Sequence, residues 1–152
     1  TADMEIVRRK LKEFYERFLN LRGEPRTVAL GMALGVFVGV TPTIPFHTVL
    51  IVAFGLLLRW NITSAYLGSW LISNPLTIPV FYYAQYEIGV LCLGKEATGL
   101  VLADYSLVSL AAAGWQILCP LLLGGLITAP LFAVPAYFIA LRLIRSLRRR
   151  QA

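Results

Sequence analysis

Two short stretches decide how this chain folds: Val40-Thr41-Pro42-Thr43-Ile44-Pro45-Phe46-His47 and, further along, Ser73-Asn74-Pro75-Leu76-Thr77-Ile78-Pro79. Each sets two prolines and several hydroxyl or amide side chains into otherwise apolar sequence. A proline has no N–H and pushes the residue before it out of helical geometry, so Pro42, Pro45, Pro75 and Pro79 each break a helix running through them. The apolar runs on either side, 27–40, 48–58, 62–72 and 80–94, all read as helix. Each is shorter than the roughly 20 residues needed to cross a hydrocarbon core. The tripeptide Thr-Ile-Pro stands at both breaks, at 43–45 and at 77–79. Two broken segments of similar size, 27–58 and 62–94, therefore read as an internal structural repeat, and paired interrupted segments are the sequence mark of a binding site at membrane depth.

Composition says which solvent surrounds these segments. The chain has 152 residues, 58% of them hydrophobic and 14% charged, with a mean hydropathy of +0.71. A soluble domain carries about 25% charged residues. Here the charges sit at the ends: residues 1–26 and the run from Arg142 to Arg150 hold most of them. Between Thr27 and Leu141 only Arg59, Glu87, Lys95, Glu96 and Asp104 are charged. Lipid is the solvent that fits this distribution. The expected fold is an all-α integral membrane protein of the bacterial inner membrane. An amphipathic helix occupies 1–26, a membrane domain 27–144, and a basic tail 145–152. The charged opening stretch does not read as a secretory leader. The net charge of +6 lies in a terminal arginine cluster beside an apolar helix. That is the pattern of an anchor on anionic headgroups rather than a nucleic-acid surface.

Each broken segment can be a re-entrant hairpin, leaving on the side it entered, or one kinked crossing. Two hairpins put Arg59 and Lys95 on the same side as the basic ends, as charge-orientation rules favour, with both termini cytoplasmic. The stretch 107–144 is long enough for two crossings that turn at Gly124-Gly125, or for one long helix kinked at Pro120, Pro130 and Pro135. In the first 22 residues, Val7, Leu11, Phe14, Tyr15, Phe18 and Leu21 recur at helical spacing, which describes a helix lying in the membrane interface or against a neighbour.

Gly31, Gly35 and Gly39 form a row on one helix face. Small residues at this spacing let backbones approach closely in lipid, where hydrophobic drive between helices is weak. The partner helix belongs to this chain, to a second copy or to another membrane protein; the sequence leaves that open.

These features resemble a bacterial membrane family catalogued as domain of unknown function 2062. The residues that carry the resemblance are Gly35-Val-Phe-Val-Gly39-Val-Thr-Pro42, the set Arg59-Trp60-Asn61, and Gly68-Ser-Trp-Leu-Ile-Ser-Asn74-Pro75-Leu-Thr77-Ile-Pro79-Val-Phe-Tyr. The likeness covers 27–94 and more loosely the stretch from Trp115 to the tail. It implies a small multi-pass protein, in some relatives attached to sugar-transfer or envelope enzymes, and it implies no activity.

Catalysis has little to stand on. The sequence has no glycine-rich phosphate loop, no Ser/His/Asp order, no acidic cluster and no metal-ligand spacing around Cys92 or Cys119. His47, the sole histidine, reads more readily as a hydrogen-bonded residue than as a catalyst. No enzyme activity, cofactor or metal is expected. Binding has more support. A broken helix leaves free N–H groups and a favourable dipole for an anion. The expected contacts are Thr41, Thr43, His47, Arg59, Asn61, Asn74 and Thr77, with Glu87 as a candidate partner for Arg59. Asn74 before Pro75 serves equally well as a helix cap. The leading expectation is a transport or lipid-handling protein for an anionic phospholipid or polyprenyl-phosphate headgroup. The rival is a non-catalytic scaffold, a homo-oligomer or an accessory subunit of an envelope enzyme.

Overall fold

The computed structural model of the chain describes residues 2–21, 23–43, 46–94 and 107–152; Ile44, Pro45, Lys95, Glu96 and Asp104 lie outside these. Among the described residues all regular structure is helical, with no strand: α1 (Ala2–Leu19), α2 (Pro25–Val40), α3 (His47–Leu58), α4 (Ile62–Ile72), α5 (Ile78–Cys92) and α6 (Leu107–Gln151). The breaks fall where the prolines put them. Pro25 opens α2, and α5 takes Pro79 in its first turn, where the missing N–H costs nothing.

The centre of the molecule is α2, most of whose residues are buried. Its glycine row meets α4 of the same chain. A Cβ added at Gly31 would strike the Asn61 carbonyl oxygen, one at Gly35 would strike the Ala65 carbonyl, and one at Gly39 would sit 3.1 Å from Ser69 O. Gly68 answers from α4, 2.6 Å from Met32 O by the same measure. The two backbones touch, and because the contacts advance in the same direction along both helices, α2 and α4 run parallel.

The long α6 runs antiparallel to α2: Ala140 and Ile144 meet Val28, Ala29 and Met32, while Ala129 meets Val36 and Val40. It also runs antiparallel to α5, with Gly89 against Pro120 O, Gly124 against Gln85 O, and Phe81 edge-on to Phe132 at 5.1 Å. Gly124-Gly125 is therefore no turn. Both glycines lie inside one continuous helix and thin it where α5 and Pro42 press in. Of the two readings of 107–144, the structure shows the single long helix, which also absorbs the basic tail.

These directions separate the two broken segments. After the first break α3 returns, so that Asn61 N donates to Thr27 O at 3.2 Å and the segment closes as a helical hairpin. The second segment does not close. Because α5 is antiparallel to α6, and α6 to α2, α5 continues in the direction of α2 and α4. Its Gln85 already stands level with Val40. The sequence repeat thus yields one hairpin and one broken but onward-running segment, since α5 finds its partner further along α6.

Among the described residues one helix, over Gln116–Gln151, is long and apolar enough to cross a membrane by length and composition. The first helix, α1, inserts Phe18 beside Val28 and Met32 and stacks Phe14 on Trp70 at 6.3 Å, while Val7, Leu11 and Tyr15 stay exposed.

Candidate functional site

A helix end leaves its last four carbonyls without intrahelical partners, and the first breakpoint is built around those of α2. Phe37 O accepts from Thr41 N at 3.1 Å and from Thr41 Oγ1 at 3.2 Å, and Val38 O accepts from the same hydroxyl at 2.9 Å. Gly39 O accepts from Ser73 Oγ at 3.0 Å, across from the second breakpoint. Val40 O accepts from Gln85 Nε2 at 2.6 Å, from α5. The whole end is satisfied by donors from three different segments. His47 Nε2 lies 3.1 Å from Thr41 O, to which it donates. Thr43 N donates to Thr41 O at 2.8 Å, and the Thr43 hydroxyl lies 3.5 Å from that of Thr41.

The second breakpoint is likewise closed on itself. Asn74 Oδ1 accepts from the N–H groups of Leu76 and Thr77, both at 3.1 Å, and Asn74 Nδ2 donates to Leu71 O at 3.2 Å. The Thr77 hydroxyl donates to Ile72 O. Asn74 thus organises the turn, and Thr77 rather than Asn74 occupies the cap position of α5.

The remaining expected site residues lie at the other end of α4. Asn61 caps α4, its Oδ1 accepting from Ser64 N at 2.8 Å, and Ser64 Oγ donates to Val28 O at 2.6 Å. Arg59 ends α3 as a left-handed residue, φ 55° and ψ 37°, with Trp60 N donating to Gly55 O at 3.0 Å. This is the hydrogen-bond pattern of a helix stop that usually takes glycine. Thr41, Thr43 and His47 gather at the first break and Asn74 and Thr77 at the second, and Ser73 joins the second break to Gly39 at the end of α2. Arg59 and Asn61 stand about 16 Å away, the rise of the 11 residues of α4. Glu87 lies two residues beyond Gln85, above the breaks, so Arg59 and Glu87 are not partners.

The sequence reading missed Ser73 and Gln85. Gln85 is 1% exposed, and its Oε1 has no hydrogen-bond partner among the described residues. A lone amide within the apolar run 80–94 was the available signal.

A second feature runs along α6. An apolar groove of about 450 Å³ lies between α2, α4 and α6, walled by residues such as Met32, Val36, Ile72, Phe132 and Ile139. Ile139 also lines an adjoining hollow with Arg142 and Arg145, and those two arginines line a third with Arg149 and Arg150. The surface changes continuously from apolar to cationic. Ion pairs among the described residues are confined to α1, Arg9–Glu13 at 3.8 Å and Lys12–Glu16 at 3.9 Å, so no acid neutralises these arginines there.

Fold and site together define a class: an all-helical protein in which a proline-broken hairpin and a second broken segment wrap one long apolar helix with a basic end. The chain belongs to the family DUF2062, whose description is "Uncharacterized protein conserved in bacteria" and whose model matches residues 8–152. The match takes in α1 and all of α6 as well as the two breakpoints. No curated protein and no solved structure matches the chain.

Proposed function

We propose that the protein is a multi-pass protein of the bacterial inner membrane, with both termini cytoplasmic, that handles an anionic lipid: a phospholipid or a polyprenyl phosphate. The observation that carries this reading is the unbroken passage along α6 from the apolar groove to Arg142, Arg145, Arg149 and Arg150. It has the shape and polarity of an amphiphile, with about 18 Å of apolar wall between Leu131 and Leu143 at 1.5 Å per residue. Anionic headgroups are drawn to such clusters beside a membrane helix.

The headgroup is assigned to the arginines and not to the breakpoints. The side-chain donors of Thr41, His47, Asn74 and Thr77 already serve backbone carbonyls. In this reading the breakpoints hold the groove open at its upper end, where Leu71 and Ile72 precede the second break. Native mass spectrometry of purified protein tests it: anionic lipid should be retained by the wild type and lost from Arg142→Gln/Arg145→Gln. Equal retention by both would favour the scaffold reading.

A further inference from the structure

We propose that a hollow between α1 and α4 is a binding site for a phosphate ester, held by Lys10 and Arg17. The hollow has a volume of about 360 Å³ and shares no lining residue with the apolar groove or with the arginine hollows of α6. The inference therefore does not rest on the lipid reading. An amphipathic helix normally turns its cations away from the face it packs. In α1, Lys10, Phe14 and Arg17 follow one another at helical spacing along one face, and all three line the hollow. Phe14 stacks on Trp70 at 6.3 Å, so the contact that docks α1 on α4 brings both cations up to Tyr66 and Trp70.

Glu13 also lines the hollow and is within helical reach of both cations, three residues after Lys10 and four before Arg17. Its carboxylate instead lies 3.8 Å from Arg9. Among the described residues Lys10 and Arg17 form no ion pair and no hydrogen bond, and neither the Tyr66 hydroxyl nor the Trp70 indole N–H has an acceptor. Four residues with unspent donors thus line one hollow, whose one acid is paired outside it. The breakpoints are the reverse, since their donors serve backbone carbonyls. Two cations and two neutral donors fit an anion. Phosphate suits them best, because a guanidinium takes two of its oxygens side by side and an ammonium binds it as a point charge. The volume is about ten times the roughly 30 Å³ share of one water molecule and falls in the range of small-molecule sites. It therefore holds a phosphate together with the group it is esterified to, which lies against the exposed parts of Tyr66 and Trp70.

The test is isothermal titration calorimetry of the purified full chain in detergent, with glycerol 3-phosphate as a soluble ester and dihexanoyl phosphatidylglycerol as a lipid headgroup. Wild type should bind at least one of them. Binding of glycerol 3-phosphate assigns a soluble ester, and binding of phosphatidylglycerol alone assigns a headgroup at the membrane surface. Lys10→Gln/Arg17→Gln should weaken that binding roughly tenfold or more and keep the wild-type melting point, since both side chains are exposed and unpaired. Arg8→Gln/Lys12→Gln removes the same charge from α1 outside the hollow and should bind as wild type does. Absence of binding to either ligand overturns the proposal. Binding that survives Lys10→Gln/Arg17→Gln overturns it too, by putting the phosphate elsewhere. An equal loss from Arg8→Gln/Lys12→Gln does the same, because net charge alone would then explain the attraction.

Discussion

Ser73 Oγ donates to Gly39 O at 3.0 Å, a hydrogen bond between residues 34 positions apart. The same interval separates Asn61 N from its acceptor Thr27 O, and it separates the two Thr-Ile-Pro copies in the sequence. α2 and α4 lie side by side in parallel in a register close to this interval: Gly35 meets Ala65 and Ser69, 30 and 34 positions on, and Ser64 Oγ reaches Val28 O, 36 positions back. Ser73→Ala should leave Gly39 O without that donor, at a cost of about 1–3 kcal/mol. A melting curve that matches wild type would mean that water replaces the hydroxyl.

The glycine row gives a sharper test. Gly35→Ala already places a methyl group against the Ala65 carbonyl, with backbone on both sides and no flexible side chain to yield. We expect a loss of about 3 kcal/mol, the upper end of overpacking, and a larger one for Gly35→Leu. Gly114 meets nothing within 4 Å among the described residues, so Gly114→Ala should hold stability or raise it through helix propensity. Equal melting of Gly35→Ala and wild type would mean that α2 and α4 do not touch.

Arg59 occupies a conformation that favours glycine. A left-handed non-glycine residue costs roughly 1–2 kcal/mol, so Arg59→Gly should raise the melting temperature even though it removes a charge. A fall would show that the guanidinium makes contacts worth more than this strain, and would restore Arg59 as a candidate for binding.

Much of the architecture was legible because prolines and glycines act locally. Pro42 and Pro75 mark the breaks whatever surrounds them, and Gly31, Gly35 and Gly39 announce a close helix contact. The partner was not legible, since small residues invite any helix, and only the fold brings Ala65 and Ser69 against them. The difference between the two broken segments was hidden for a related reason. Whether a chain turns back after a break depends on what the second half meets, and α5 meets Pro120 and Gly124 from sequence far away. Gln85 was overlooked because its neighbours, Val40 and Gly125, come from other helices. The donors at Thr41 and Asn74 were recognised as chemistry, but where their hydrogen bonds go is a tertiary fact.

The hairpin and the onward segment predict different sides for two positions. In the membrane reading, Arg59 returns to the cytoplasmic end beside Thr27, while Cys92 ends α5 on the far side and is exposed. With Cys119 changed to serine, Cys92 should react with an impermeant thiol reagent on intact cells. In a background lacking both native cysteines, Arg59→Cys should react only after the membrane is opened. Labelling of both from outside would convert the first segment into a kinked crossing. Labelling of neither would make the second segment a hairpin.

The last prediction separates the arginines of α6 from Arg59. If the groove holds an acyl or prenyl chain, its anionic head reaches Arg142 and Arg145, which share the hollow with Phe138 and Ile139. Removing two cations near a membrane surface weakens attraction for an anionic headgroup by roughly tenfold or more. Arg142→Gln/Arg145→Gln should therefore lose co-purified anionic lipid and keep its melting point, because neither side chain forms an ion pair among the described residues. Arg59→Gln should keep both, since Arg59 lies at the end of the hairpin and lines none of the three hollows. Arg148 is the internal control: its Nη2 donates to Gly23 O at 2.6 Å and ties the α1–α2 junction to α6, so Arg148→Gln should cost stability without selective loss of lipid. Filling the groove is the complementary experiment. Ala136→Phe introduces a ring into the apolar wall and should displace the chain while leaving the arginines in place. Retention of lipid by Ala136→Phe together with its loss from the double arginine variant would mean that the headgroup binds alone, as it would to a basic patch without a groove.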